Sequence, residues 1–124
     1  METFNHLGTT IDNAAKSGLS WTKRSKLVND ALTCLINLGR TKQKEKITTT
    51  CVTIEITKVK NDDLVNILVT GNENHDSIVI GLRLDTGELT LDRFSCDINA
   101  IAQRIAQLLL SNKPQETMQA LVYC

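Results

Sequence analysis

The stretch Thr49 to Leu91, TTCVTIEITKVKNDDLVNILVTGNENHDSIVIGLRLDTGELTL, decides the fold. Val52, Ile54 and Ile56 alternate with Thr53, Glu55 and Thr57, the period of two that a strand with one wet face requires. Asn61-Asp62-Asp63 supplies a turn, and Leu64 to Thr70 follows as a more continuously apolar strand. A polar loop, Gly71 to Asp76, leads to Ile78, Ile80, Leu82 and Leu84, which alternate with Val79, Gly81 and Arg83. Asp85-Thr86-Gly87 closes the next hairpin and returns Leu89 and Leu91 to the same core. These segments predict a single-layer four-stranded antiparallel meander, which must be covered on its apolar face to be stable.

The flanking segments change period from two to 3.6. Phe4, Leu7, Ile11, Ala14 and Ala15 fit a short helix over 3–17, stopped by Gly18. Ser20 offers an N-cap to a stronger helix from Trp21 to Leu38, with Trp21, Leu27, Val28, Ala31, Leu32, Leu35, Ile36 and Leu38 on its apolar stripe and Gly39 at its end. Beyond the strands, Asp97 caps a helix carrying Ile98, Ile101, Ala102, Ile105, Leu108 and Leu109, closed by Asn112 and Pro114. The expected fold is α+β in the order α-α-β-β-β-β-α, one domain over 1–124. The helix before Gly18 is free to fold back or to swing onto a partner, and 113–124 is left as a tail.

Composition agrees with one domain. The chain has 124 residues, of which Leu, Ile, Val and Phe number 16, 11, 7 and 2, enough apolar surface to offset ordering entropy. No apolar run reaches the ~20 residues of a membrane span and no leader-like stretch opens the chain, so the expected compartment is the cytoplasm, the host's if the product is viral. Cys34, Cys51, Cys96 and Cys124 stand too far apart for a paired zinc motif and are read as reduced thiols, with Cys34 a small core residue.

Motifs for catalysis are weak. Asp85-Thr86-Gly87 resembles the Asp-Thr-Gly signature of retroviral-type aspartic proteases, but the resemblance covers three residues and a helix follows where such a protease continues in strands. A polar hairpin turn accounts for the same letters. His6 and His75 belong to no nucleophile or metal pattern, and six isolated glycines form no phosphate cradle. The expectation is therefore no enzymatic role and no cofactor or metal.

Charge carries more information. Residues 16–60 hold ten Lys or Arg against three acids, while 61–124 hold four against nine, so a net charge of zero conceals segregation. Lys23, Arg24 and Lys26 cluster at a helix start, and Arg40, Lys42, Lys44 and Lys46 occupy what reads as a flexible linker before the first strand. Two binding functions follow. A protein-protein interaction or assembly module, homodimeric, would use outward apolar residues Leu64, Leu68 and Val79 as its face. The alternative is nucleic-acid binding, with the bases of 23–46 contacting the phosphate backbone and no outward aromatic residue to stack on bases. The assembly-module reading suits a small viral or phage accessory product.

Overall fold

The computed structural model describes residues 2–16, 18–41 and 43–112, with side chains from His6 onward. Lys42, Cys124 and the tail over 113–124, whose helix or strand character the sequence leaves open, lie outside the described residues. The described elements are α1 (Glu2–Ala14), α2 (Trp21–Thr41), β1 (Lys44–Thr48), β2 (Val52–Lys58), β3 (Leu64–Gly71), β4 (Ser77–Arg83), β5 (Leu89–Leu91), β6 (Phe94–Ser95) and α3 (Ile98–Ser111). All six strands join one antiparallel sheet in chain order, β1-β2-β3-β4-β5-β6. The class and the meander are as expected, but the sheet has six strands rather than four.

Both extra strands lie at the edges, where the hydrophobic pattern is weakest. β1 carries a single aliphatic residue, Ile47, and its inward residues Glu45 and Ile47 are only half-buried. β6 is two residues long and is joined to β5 by Asp92 and Arg93, both with positive φ, at 50° and 77°. That pair matches the twist-compatible turn of a two-residue hairpin without the Asn-Gly letters that usually announce one.

The core lies between one sheet face and the three helices. Val52, Ile54, Ile56, Val65, Ile67, Val69, Ile78, Ile80 and Leu82 are buried from the sheet side. Leu7 and Ile11 of α1, Val28, Leu32, Leu35 and Leu38 of α2, and Ile101, Ile105, Leu108 and Leu109 of α3 meet them. Leu89 and Leu91 stand opposite Leu82 and Ile80 on the same face, as their spacing requires. The helix before Gly18 thus belongs to the core.

One helix boundary and the exposure of one helix residue differ from expectation. α2 runs through Gly39 to Thr41 because Gly39 is buried against Val65, Ile67 and Leu82, where the missing side chain lets the helix approach the sheet. Trp21, placed on the apolar stripe by its spacing, begins the helix and is 53% exposed. At both termini of α3 the expected caps are present. Asp97 accepts a hydrogen bond from the Ala100 N–H at 2.9 Å, and Asn112 ends the helix fully buried.

Candidate interaction surfaces

Sheet pleating sends every second residue away from the helices. On that outer face, cross-strand register aligns Lys46, Glu55, Leu68 and Val79 in one row and Lys44, Thr57, Asn66, Gly81 and Thr90 in the next. Leu64, Leu68 and Val79 are half-exposed there, and among the described residues no element packs over them. Leu68 and Val79 are direct cross-strand partners, while Leu64 leans toward Gly81. The row ends at the β5–β6 turn, where the Val79 N–H donates to Asp92 Oδ1 at 3.0 Å and the Asp92 N–H donates to the Val79 carbonyl at 2.8 Å.

The basic residues do not converge. Lys23 and Lys26 are exposed near the start of α2 and Arg40 is exposed in its last turn. Seventeen residues of helix separate Lys23 from Arg40, about 26 Å along the axis. Lys44 and Lys46 belong to β1, on the outer face, rather than to a flexible linker.

Arg24 departs furthest from the expected role, because its guanidinium turns inward. Its Nε donates to the Ala14 carbonyl at 2.9 Å and its second terminal nitrogen to the Lys16 carbonyl at 2.6 Å. Helix ends leave carbonyls without intrahelical partners, and Arg24 satisfies two at the close of α1. With only 8% of the residue exposed, it ties α1 to α2 rather than facing a phosphate. Ser20 caps α2 as expected, accepting from the Lys23 N–H at 3.3 Å.

The Asp85-Thr86-Gly87 segment is an exposed turn. Arg83 donates to both carboxylate oxygens of Asp85, at 3.1 and 2.9 Å, and the Thr86 N–H donates to Asp85 Oδ1. The Arg83 contact holds the Asp85 carboxyl below its ordinary value, with the guanidinium correspondingly raised. A proton-sharing carboxylate pair requires a shift in the other direction for one partner. His6 and His75 are both exposed, and burial pushes the Cys34 thiol up, which opposes thiolate formation. No cluster of three or more metal-ligating side chains occurs among the described residues. No helix among them is long and apolar enough to cross a membrane.

Two features escape sequence reasoning. Buried Asn112 accepts at Oδ1 from the Glu73 and Asn74 N–H groups, at 3.1 and 2.9 Å, so the end of α3 fastens the β3–β4 turn. Nothing in the letters distinguishes it from an ordinary helix-ending Asn. The other is a groove of about 220 Å³ between α2 and α3, floored by Ala102 and Ala106 and rimmed by Trp21, Asn29, Asn99 and Gln103. Pairing of two helix surfaces creates it, so neither helix announces it alone. Against protein-family models, curated proteins and solved structures alike, the chain finds no match.

Proposed function

We propose that the protein is a non-enzymatic interaction and assembly module that pairs with a second copy of itself through the outer face of its sheet. The observation that carries this reading is the band of Leu64, Leu68 and Val79 on a face that no other described element covers. One-layer sheets with aliphatic residues on the wet side gain by covering that side, at about 25 cal/mol for each Å² of apolar surface removed from water.

Charge favours a second copy as the cover. A twofold axis parallel to the strands and passing over Leu68 superimposes the Lys46 end of one row on the Asp92 end of the other, twice by symmetry. Aligned packing of two such faces keeps Leu64 and Leu68 near the axis, sets Glu55 beside the Val79 of the other copy, and leaves Lys46 and Asp92 at the rim, where charges steer encounter more than they add affinity. Phosphate-backbone binding through 23–46 is the weaker reading, since Arg24 is engaged internally and the remaining bases are spread over separate surfaces.

Sedimentation analysis tests the proposal directly. The parent chain should sediment as a dimer and Leu68→Lys as a folded monomer, because a charge at the centre of an apolar interface cannot be solvated. Lys46→Glu should slow assembly most at low salt. A parent chain that remains monomeric at every concentration, or that binds generic nucleic acid with a steep salt slope, sinks the proposal.

A further inference from the structure

The free edge of the sheet is a different surface from its outer face. The Lys58 N–H donates to the Gln43 carbonyl at 2.8 Å, and the Thr49 N–H donates to the Val52 carbonyl at 2.8 Å. Bonded and non-bonded pairs alternate along an antiparallel ladder, so Gln43, Glu45, Ile47 and Thr49 turn their peptide groups toward β2. Lys44, Lys46 and Thr48 therefore turn theirs outward, and among the described residues none of these groups has a partner. The opening has a definite end. At Thr50 the N–H is taken by Asp12 Oδ1 of α1 at 3.2 Å, which closes the edge.

At the other end of β1 the edge runs into a cleft of about 390 Å³ lined by Lys44, Thr57, Lys58, Lys60 and Asn61. Lys58 Nζ donates to the Asp62 carbonyl at 2.8 Å, which holds that ammonium in place. Among the described residues no carboxylate lies within ion-pair distance of Lys44, Lys46, Lys58 or Lys60. Four cations thus line one edge and its corner, and among the described residues none of them forms an ion pair.

A second copy fits this edge poorly. Antiparallel self-pairing centred on Lys46 sets Lys46 against Lys46, and pairing centred on Glu45 sets Lys44 against Lys46, both unfavourable like-charge pairs. Pairing centred on Ile47 leaves only the Lys46–Thr48 pairs, because the Lys44 partner would be Thr50, whose N–H is already committed.

We propose that the β1 edge is a docking site for an extended acidic segment of a partner protein. The segment adds as a further strand beside β1, with acidic side chains opposite Lys44 and Lys46 and another carboxylate in the cleft with Lys58 and Lys60. Main-chain hydrogen bonds to Lys44, Lys46 and Thr48 supply affinity, and the lysines select for acids at alternate positions. The residue between them faces Glu45, on the inner side of β1.

The test uses the full chain and a fluorescein-labelled, acetylated peptide of sequence Glu-Val-Glu-Val-Glu-Thr, followed by anisotropy. Binding should weaken with salt and fall by about tenfold or more when Gln replaces Glu or when alternate peptide nitrogens are methylated. Thr48→Pro should cause a similar loss while leaving circular dichroism unchanged, because the N–H it removes points away from β2. Bound peptide should also slow exchange of the Lys44, Lys46 and Thr48 amides. Equal binding of the methylated peptide would mean charge attraction without strand addition and overturns the proposal. So does an oligothymidylate probe that outcompetes the peptide and is insensitive to Thr48→Pro, or a parent dimer that Thr48→Pro dissociates. Absence of peptide binding overturns it outright.

Discussion

Arg24 shares a helical turn with Lys23 and Lys26, yet only its side chain is drawn inward, because α1 ends beside it with carbonyls that need donors. A planar guanidinium reaches two carbonyls at once, which an ammonium cannot do as well. Arg24→Met keeps most of the packing stem and removes both donors. It should cost about 1–3 kcal/mol of stability, read as a lowered denaturation midpoint, with faster amide exchange concentrated in α1. A wild-type midpoint would show that water replaces the guanidinium without loss. The sequence places Arg24 on the correct helix and beside the correct neighbours, but it cannot say which of three adjacent bases turns inward. That choice depends on where the preceding helix stops, and Ala14 and Ala15 provide no stop signal in their own letters. Asn112 and Gly71 pose the same difficulty. Gly71 is buried at the end of β3 because a side chain there would collide with Asn112, a constraint created by two elements 41 positions apart.

At the scale of elements, legibility follows burial. β2, β3 and β4 announce themselves because each buries three or four residues on one face, and α3 does so through a capped, strongly amphipathic stripe. β1 is hidden because an edge strand is bonded on one side only and half-covered, so lysines suit it as well as aliphatics. Its residues read as a linker for the same reason that they are able to guard an edge. The β5–β6 hairpin is hidden because Asp92 and Arg93 occupy conformations that favour Gly or Asn. Asp92 compensates through its bond to the Val79 N–H, whereas Arg93 is exposed at a φ of 77°. Arg93→Gly should therefore stabilise the protein by about 1 kcal/mol, since relief of left-handed strain outweighs the added freedom of the unfolded chain. Equilibrium denaturation in urea measures this. A lower midpoint would mean that the Arg93 side chain makes a contact worth more than the strain.

For the molecule as a whole, chain order of the strands converts a pattern in sequence into a pattern in space. The basic segment 16–60 becomes α2, β1 and β2, and the acidic remainder becomes β3 through α3, so charge grades across the sheet from one edge to the other. The segregation was legible in the letters; its direction across the sheet required the strand order. The outward placement of Leu64, Leu68 and Val79 was likewise legible, because alternation assigns faces once Val65, Ile67 and Ile80 are known to be inside. Joining of the layers was not. At one end Asn72 donates to the Thr49 and Thr50 carbonyls, Asp12 takes the Thr50 N–H, Arg104 pairs with Asp76 at 3.0 Å and Asn112 seizes the next turn. Together they clasp α1, the β1–β2 turn, the β3–β4 turn and α3 by polar contacts that no hydrophobic period encodes.

The unbroken sequence order of the strands also governs how the chain reaches this state. Every strand pairing closes a short loop, and local closures lose little entropy, so hairpins can accumulate one after another in the order of synthesis. The helices close the longer separations: Asp12 of α1 reaches Thr50, Gly39 of α2 packs against Leu82, and α3 returns to α2 and to Glu73 and Asn74, 39 and 38 residues before Asn112. α3 is the last described element in the chain, so its docking completes the cover of the sheet's inner face. A chain cut after Ser95 should keep strand-rich circular dichroism while binding a hydrophobic dye, with side-chain packing unformed on the face α3 normally covers. If the shortened chain instead resists dye and unfolds as sharply as the parent, the earlier elements are already a self-sufficient nucleus. On a ribosome adding about 5–20 residues each second, the stretch from Ser95 to Ser111 takes about 1–3 seconds to make. During that interval, Ile67 and Ile80 depend on α1 and α2 alone for cover.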